Sequence, residues 1–345
     1  MYCDLPFYHL YIDGKWLKPC CINTEEYRGE PNFNHKNLVS FRQKMLKGGV
    51  PESCNDCKIK EDSGVTSYRE YNQELNPDPV YDHNNGIMKT KPFTFDIRLD
   101  NTCNLKCVMC GPDQSSKWLE DIDVYKDHID SSISYKKSKT ERLSNLNLVI
   151  EMIKDNASFI SLLGGEPFQM KSAKKLLTSL TDWNKENTKI LITTNSMINE
   201  NNDLFNVLTD YKKVYFMISI DGVDDVNGYI RYPSNWIKFL EGVELLQKNS
   251  VEVRFNLTVS ALNLPDIQNV QTLADKMNIK LILNNLHLPE FLTIDSLKPE
   301  VIVDNEYTKD YKFNSKNNKK LKRYLYALDE KRKTNSKKVL KWCWI

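Results

Sequence analysis

The sequence predicts an α/β chain whose main body is a partial (β/α)6, TIM-like barrel preceded by a small Cys-rich module. Two observations carry that expectation. From about residue 92 onward, strand-like and helix-like stretches alternate through six strands, and a run of three cysteines follows the first strand directly. Strands separated by helices imply right-handed crossovers and a parallel sheet. Their order and length favour a partial barrel over an open, doubly wound sheet.

Phe93–Leu99 reads as the first strand, with Phe93, Phe95 and Ile97 alternating against polar neighbours. A helical spacing follows at Leu143, Leu146, Val149, Ile150 and Ile153, and the apolar run Phe159–Leu163 is the second strand. Ala173, Leu176, Leu177, Leu180 and Trp183 fall on one helix face. The alternation continues with strand Lys189–Thr194, a helix around Leu204–Tyr211, strand Val214–Ile220, helix Trp236–Leu246 and strand Val251–Val259. Pro265 stands where the first turn of a helix tolerates proline, and Ile267, Val270, Leu273 and Met277 form that helix's expected buried stripe. Strand Lys280–Asn284 closes the series.

The flanks differ from this core, which spans residues 91–298. Residues 1–90 carry five cysteines and Pro6, Pro19, Pro31 and Pro51, with only short regular patterns, as expected of a module held by metal. Residues 299–345 form a basic helical tail, in which 316–341 hold eleven Lys or Arg against Asp329 and Glu330. Leu321, Leu325 and Leu328 give it a modest apolar stripe, and it reads as a solvated helix face.

At 345 residues and 40% hydrophobic content, the chain is long enough to bury a sizeable core. A net charge of +2 gives no push toward nucleic acid or a membrane surface. The start, Met1-Tyr-Cys-Asp-Leu-Pro, lacks a signal-peptide pattern, and no run of about 18 apolar residues occurs, so a soluble cytoplasmic protein is expected. Nine cysteines, an odd count, do not suit a disulfide framework in a reducing compartment. Metal or cluster ligation accounts for them better.

Cys103-Asn-Leu-Lys-Cys107-Val-Met-Cys110 is the most informative segment. A C-x3-C-x2-C run supplies three thiolates, whereas a cubane iron–sulfur cluster takes four cysteines. One iron then keeps an open position for a small molecule. A structural zinc site is the alternative, but it calls for a fourth Cys or His. The loop follows a strand, and the carboxyl end of a barrel's strands is where chemistry sits. After the second strand comes Gly164-Gly165-Glu166-Pro167, where two glycines admit close backbone approach and an acid is held that can pair with an ammonium group.

Together these motifs resemble the radical S-adenosylmethionine (SAM) superfamily. That resemblance implies that Cys103, Cys107 and Cys110 hold a 4Fe–4S cluster whose open iron is chelated by SAM. Reductive cleavage of SAM would then yield a 5′-deoxyadenosyl radical that abstracts hydrogen from a substrate. Gly164, Gly165 and Glu166 would meet the methionine amino group. Met109 stands where the family often has an aromatic residue, implying a looser contact with adenine. Ser219-Ile-Asp221-Gly222 and Tyr229-Ile-Arg231 look like the pattern of the subgroup that modifies peptides and makes cofactors, with Ser219 and Arg231 helping to hold SAM. Thr193, Thr194 and Asn195 face the same site or simply cap a strand.

The N-terminal pattern Cys3, Gly14, Cys20-Cys21 and Cys54-x2-Cys57 resembles the SPASM/twitch auxiliary-cluster domains, although those usually follow the barrel and carry more cysteines. It implies one auxiliary cluster on Cys3, Cys20, Cys54 and Cys57, with Cys21 spare and zinc as the rival occupant. Cys343 caps a cluster only if the tail folds back, and the five histidines show no metal spacing. The expected partners are a peptide, protein side chain or small cofactor precursor, and an external reductant such as flavodoxin or ferredoxin. Two alternatives stand beside this reading: a non-catalytic metal-binding or electron-transfer protein on the same fold, and a nucleic-acid-modifying enzyme of the same superfamily, for which the basic tail is the one hint.

Overall fold

The structure is a computed structural model and describes residues 2–345 apart from 15, 63, 65, 76–78, 132–144, 303–307 and 310. Its strands are β1 (His9–Asp13), β2 (Trp16–Lys18), β3 (Tyr27–Arg28), β4 (His83–Asn84), β5 (Ile87–Met88), β6 (Thr94–Arg98), β7 (Phe159–Leu163), β8 (Lys189–Thr194), β9 (Val214–Ser219), β10 (Glu252–Val259) and β11 (Lys280–Asn285). Nine of them form one sheet in the order β11-β10-β9-β8-β7-β6-β1-β2-β3, and β4 pairs with β5 alone.

The strands β6 to β11 pair in parallel, each with its neighbour in sequence. This is a mixed α/β fold with a largely parallel sheet. Its strictly sequential order lacks the reversal of a doubly wound sheet and is consistent with a partial TIM-like fold. All six expected core strands are present, within one or two residues at each end.

Alternation along the strands separates two faces. Ile190, Ile192, Phe216, Ile218, Phe255 and Leu257 are buried beneath the helices. Their neighbours Leu191, Thr193, Tyr215, Met217, Ser219, Arg254 and Asn256 are half-buried on the other face. A parallel sheet covered on both sides reads as continuous apolar runs. Here one face is left free for a ligand at the carboxyl ends of the strands.

Two expectations need correction, and one lies partly outside the described residues. Leu143 is not among the described residues, and the helix expected to include it is described over Leu146–Ile153. The helix carrying Ala173, Leu176 and Leu177 ends at Thr178, and Trp183 belongs to a separate helix, Asp182–Asn187, where it is exposed. Thr181 and Asn184 form a capping box there, and those two reciprocal hydrogen bonds restart the chain in a new direction. On the helix Ile267–Met277, Val270 and Ala274 are the fully buried pair, while Ile267, Leu273 and Met277 pack at its margin.

The flanks are tied to the sheet. β1 lies parallel to β6 in the register Leu10↔Phe95 and Ile12↔Ile97, and β2 folds back antiparallel to β1 across Gly14, whose φ is +61°. In the tail, Leu321, Tyr324, Leu325 and Leu328 of the helix Ser315–Arg332 are all fully buried, so its stripe is core rather than the edge of a solvated rod. Cys343 is buried too and donates its thiol to the Ala261 carbonyl at 3.3 Å, which explains its position without a cluster. Among the described residues, no helix is long and apolar enough to cross a membrane.

Candidate active site and metal centres

The three-cysteine loop leaves the carboxyl end of β6 and is fastened from several sides. Asp100 accepts from the Thr102 amide at 2.7 Å and from Ser172 Oγ at 2.8 Å, fixing the start of the loop. The amides of Lys106 and Val108 donate to the carbonyls of Tyr232 and Ile230, each at 2.7 Å, so the loop is laced to the chain around Arg231. Cys103 and Cys110 are half-buried and Cys107 is buried. Burial pushes the Cys103 thiol up to about 12. Cys107 is lowered to about 7, first by a hydrogen bond from Cys110 and then by the charge of Arg231, while Cys110 is raised in turn. Three thiols on one short loop suit a cationic ligand, which binds them as thiolates.

The Gly-Gly-Glu turn docks onto this loop. The Glu166 amide donates to the Thr102 carbonyl at 2.8 Å, and the Gly165 amide to that of Gln114 at 3.1 Å. Both glycines have positive φ, +76° and +47°. A Cβ on Gly164 would collide with the Arg98 side chain, and one on Gly165 with the Thr102 carbonyl. Glycine is required here by proximity as well as by backbone angle.

Glu166 is 1% exposed. Its carboxylate accepts from the Phe168 amide (3.2 Å), Thr194 Oγ1 (2.7 Å) and the Asn195 amide (2.7 Å). Burial nonetheless raises its pKa to about 6, against the pull of those donors. Thr194 and Asn195 thus meet the acid directly, and Asn195 Nδ2 also reaches Asn104 inside the cysteine loop at 2.8 Å.

Ser219 ends β9 beside Asn256 of β10. Arg231 donates to Asp221 at 2.7 Å. Burial opposes its charge, yet Cys107 and Asp221 together hold its pKa raised. Its Nε is buried without a hydrogen-bond partner. A guanidinium edge left unsatisfied beside three cysteines fits a carboxylate-bearing ligand such as SAM.

In the N-terminal region, Cys3, Cys20, Cys54 and Cys57 line one small cavity, walled mainly by apolar groups that include Leu5, Phe41 and Met45. Burial pushes the Cys3 thiol up to about 12 and Cys54 up to about 11, and raises Cys20 further. Arg69 is the cation that Cys3 feels. Buried thiols raised in this way are poor nucleophiles. Cys21 does not line this cavity, and burial pushes its thiol up to about 12. Among the described residues, no three His, Cys, Asp or Glu side chains are set to hold a single metal ion.

Two features of the site carry no motif of their own. Arg98 lies in the strand that feeds the cysteine loop, and that place puts its side chain against Gly164. The strand β1 was not foreseen, and its His-Leu-Tyr-Ile-Asp alternation was the available signal.

The Radical SAM superfamily matches residues 97–275, more than half of the chain. The chain belongs to that superfamily, and its domain is that of a radical SAM enzyme. No curated protein matches it. Similar solved structures include SuiB of Streptococcus suis at 16% identity, covering 90% of this chain and 66% of SuiB with a TM-score of 0.40; SuiB has also been solved with SAM and with its precursor peptide SuiA. The enzyme anSMEcpe with bound SAM is 16% identical over 68% of this chain and 57% of its own, at a TM-score of 0.42. TYW1 with a lysine-pyruvate adduct is 15% identical over 81% and 90%, at 0.35. The chain thus spans about two thirds of the length of SuiB.

Proposed function

We propose that this protein is a radical SAM enzyme that acts on a peptide, a protein side chain or a small cofactor precursor. In this reading Cys103, Cys107 and Cys110 hold a 4Fe–4S cluster and SAM together, and the barrel's free face receives the substrate. When bound, the cluster supplies the electron that cleaves SAM to methionine and a 5′-deoxyadenosyl radical. The protein's own residues bind and orient. Glu166 offers its remaining acceptor capacity to the ammonium group of SAM, and Arg231 offers its unpartnered Nε to the carboxylate. Ser219 stands at the strand end where the ribose would lie. The observation that carries this reading is the contact of all three motifs: the cysteine loop is hydrogen-bonded both to the Gly-Gly-Glu turn and to the backbone flanking Arg231.

Cys3, Cys20, Cys54 and Cys57 would hold an auxiliary 4Fe–4S cluster of the twitch type, and their shared cavity supports that reading. The substrate class rests on the likeness of Ser219-Ile-Asp221-Gly222 and Tyr229-Ile-Arg231 to peptide- and cofactor-modifying enzymes. The test is anaerobic. Protein reconstituted with iron and sulfide receives dithionite and SAM, and 5′-deoxyadenosine is quantified beside Cys107→Ala. Product that the variant fails to make is the expected result. A fully loaded wild type that makes none, with or without candidate peptides, would sink the assignment.

A further inference from the structure

The cysteine loop spends its backbone polar groups in an unusual way. Besides the amides tied to Tyr232 and Ile230, the Cys107 carbonyl accepts from Trp118 Nε1 at 3.0 Å and the Leu105 carbonyl from Ser115 Oγ at 2.5 Å. The Val108 carbonyl accepts from Tyr324 Oη at 2.9 Å, and Tyr324 comes from the C-terminal helix more than two hundred residues away. Arg332, at the end of the same helix, has its guanidinium centred 4.9 Å from the Trp118 ring and 5.2 Å from the Tyr232 ring. Its Nε donates to Asp121 at 2.7 Å, and Asp121 also accepts from Nζ of Lys106 within the loop at 2.8 Å. Arg332, Asp121 and Lys106 are all at least nine-tenths buried.

We propose that Tyr324 and Arg332 are positioning residues for SAM chemistry: the basic tail acts as a brace that sets the height and charge environment of the cysteine loop. This deepens the proposed function and rests on it. The physical argument has two parts. A buried carbonyl that loses its donor must shift to find another, and Val108 lies between two of the three cysteines. Arg332 touches both sides of the loop at once: Trp118 carries one ligand's carbonyl, and Tyr232 accepts the Lys106 amide. A guanidinium near two rings that also holds Asp121 through its Nε fills that role in a way that an ammonium group does not. Groups that orient metal ligands from outside typically change affinity or activity by about 10–100-fold when removed.

The experiment uses full-length protein reconstituted anaerobically: wild type, Tyr324→Phe, Arg332→Met and Arg332→Lys. Iron and sulfide are assayed, and the reduced cluster is followed by electron paramagnetic resonance while SAM is titrated. Reduction potentials are measured on the same samples. Expected are wild-type iron content, a SAM midpoint raised about 10–100-fold in Tyr324→Phe and Arg332→Met, a more negative potential in Arg332→Met, and partial recovery in Arg332→Lys. Unchanged midpoints and potentials in a responsive series overturn the proposal and leave the helix as packing alone. Should Arg332→Met fail to fold, Tyr324→Phe decides the matter, because it removes one oxygen and keeps the shape. A wild type that loads iron but never responds to SAM overturns the proposed function itself, a result distinct from unaltered variants.

Discussion

The two cysteine groups of this protein are built on opposite plans. Cys103, Cys107 and Cys110 sit on one loop, and the surrounding structure comes to them: the Gly-Gly-Glu turn, the segment around Arg231 and the C-terminal helix each bond the loop's backbone. Cys3, Cys20 and the Cys54/Cys57 pair come from three segments that the fold gathers around a mainly apolar cavity. The first group has charged company in Arg231 and Glu166. In the second, burial raises the thiols of Cys3, Cys20 and Cys54, with Arg69 beside Cys3. A loop of three with a poised cation suits a site that opens to a ligand. Four converging thiols in an apolar cavity suit a closed one.

Four variants sharpen or break that contrast. The largest effect is expected from Cys107→Ala, which should abolish 5′-deoxyadenosine production while the N-terminal site keeps its metal, as iron analysis would show. The double variant Cys54→Ala/Cys57→Ala should lose about half of the iron yet still cleave SAM. Loss of zinc with no change in iron would instead identify the second site as a zinc centre, and loss of SAM cleavage would show that the two groups are not independent.

Glu166→Gln comes next, with SAM binding expected to weaken by about 2 kcal/mol, or roughly 30-fold, for one charge-assisted contact. The sign with pH follows from burial. With its pKa raised to about 6, Glu166 is charged above that value and neutral below it, so wild-type affinity for SAM should fall as the pH drops through 6. The Gln variant should lack that step, and a binding titration between pH 5 and 8 on both proteins checks it. Gly165→Ala should cost about 1–3 kcal/mol in a denaturant melt, since the backbone there is left-handed and the Thr102 carbonyl blocks a side chain.

Much of this was legible because it is periodic or local. The strands Lys189–Thr194 and Val214–Ser219 announce themselves by apolar alternation, and their one buried face confirms why. The cysteine spacing and the Gly-Gly-Glu-Pro turn are short motifs whose geometry is carried by neighbouring residues. Other features rest on long-range contact and left no comparable trace. The tail shows the difference: eleven basic residues in 316–341 suggest a solvated face, yet Arg332 finds Asp121, and the leucine stripe finds the core. β1 stands between the two cases: its alternation is visible in the sequence, but its place in the sheet is set by pairing with β6, some eighty residues on, and with β2.

The amino-acid sequence by itself determined the run of six parallel strands, the spacing of the three-cysteine loop and the superfamily, since periodicity and close spacing survive without knowledge of the fold. Tertiary structure alone decided that four scattered cysteines share a cavity, that Glu166 is held by Thr194 and Asn195, and that Tyr324 of the helix Ser315–Arg332 donates to the Val108 carbonyl. The physical reason is reach. Hydrogen bonds and van der Waals contacts act over a few ångströms, so residues distant in sequence acquire a joint role only after the chain has closed the distance between them.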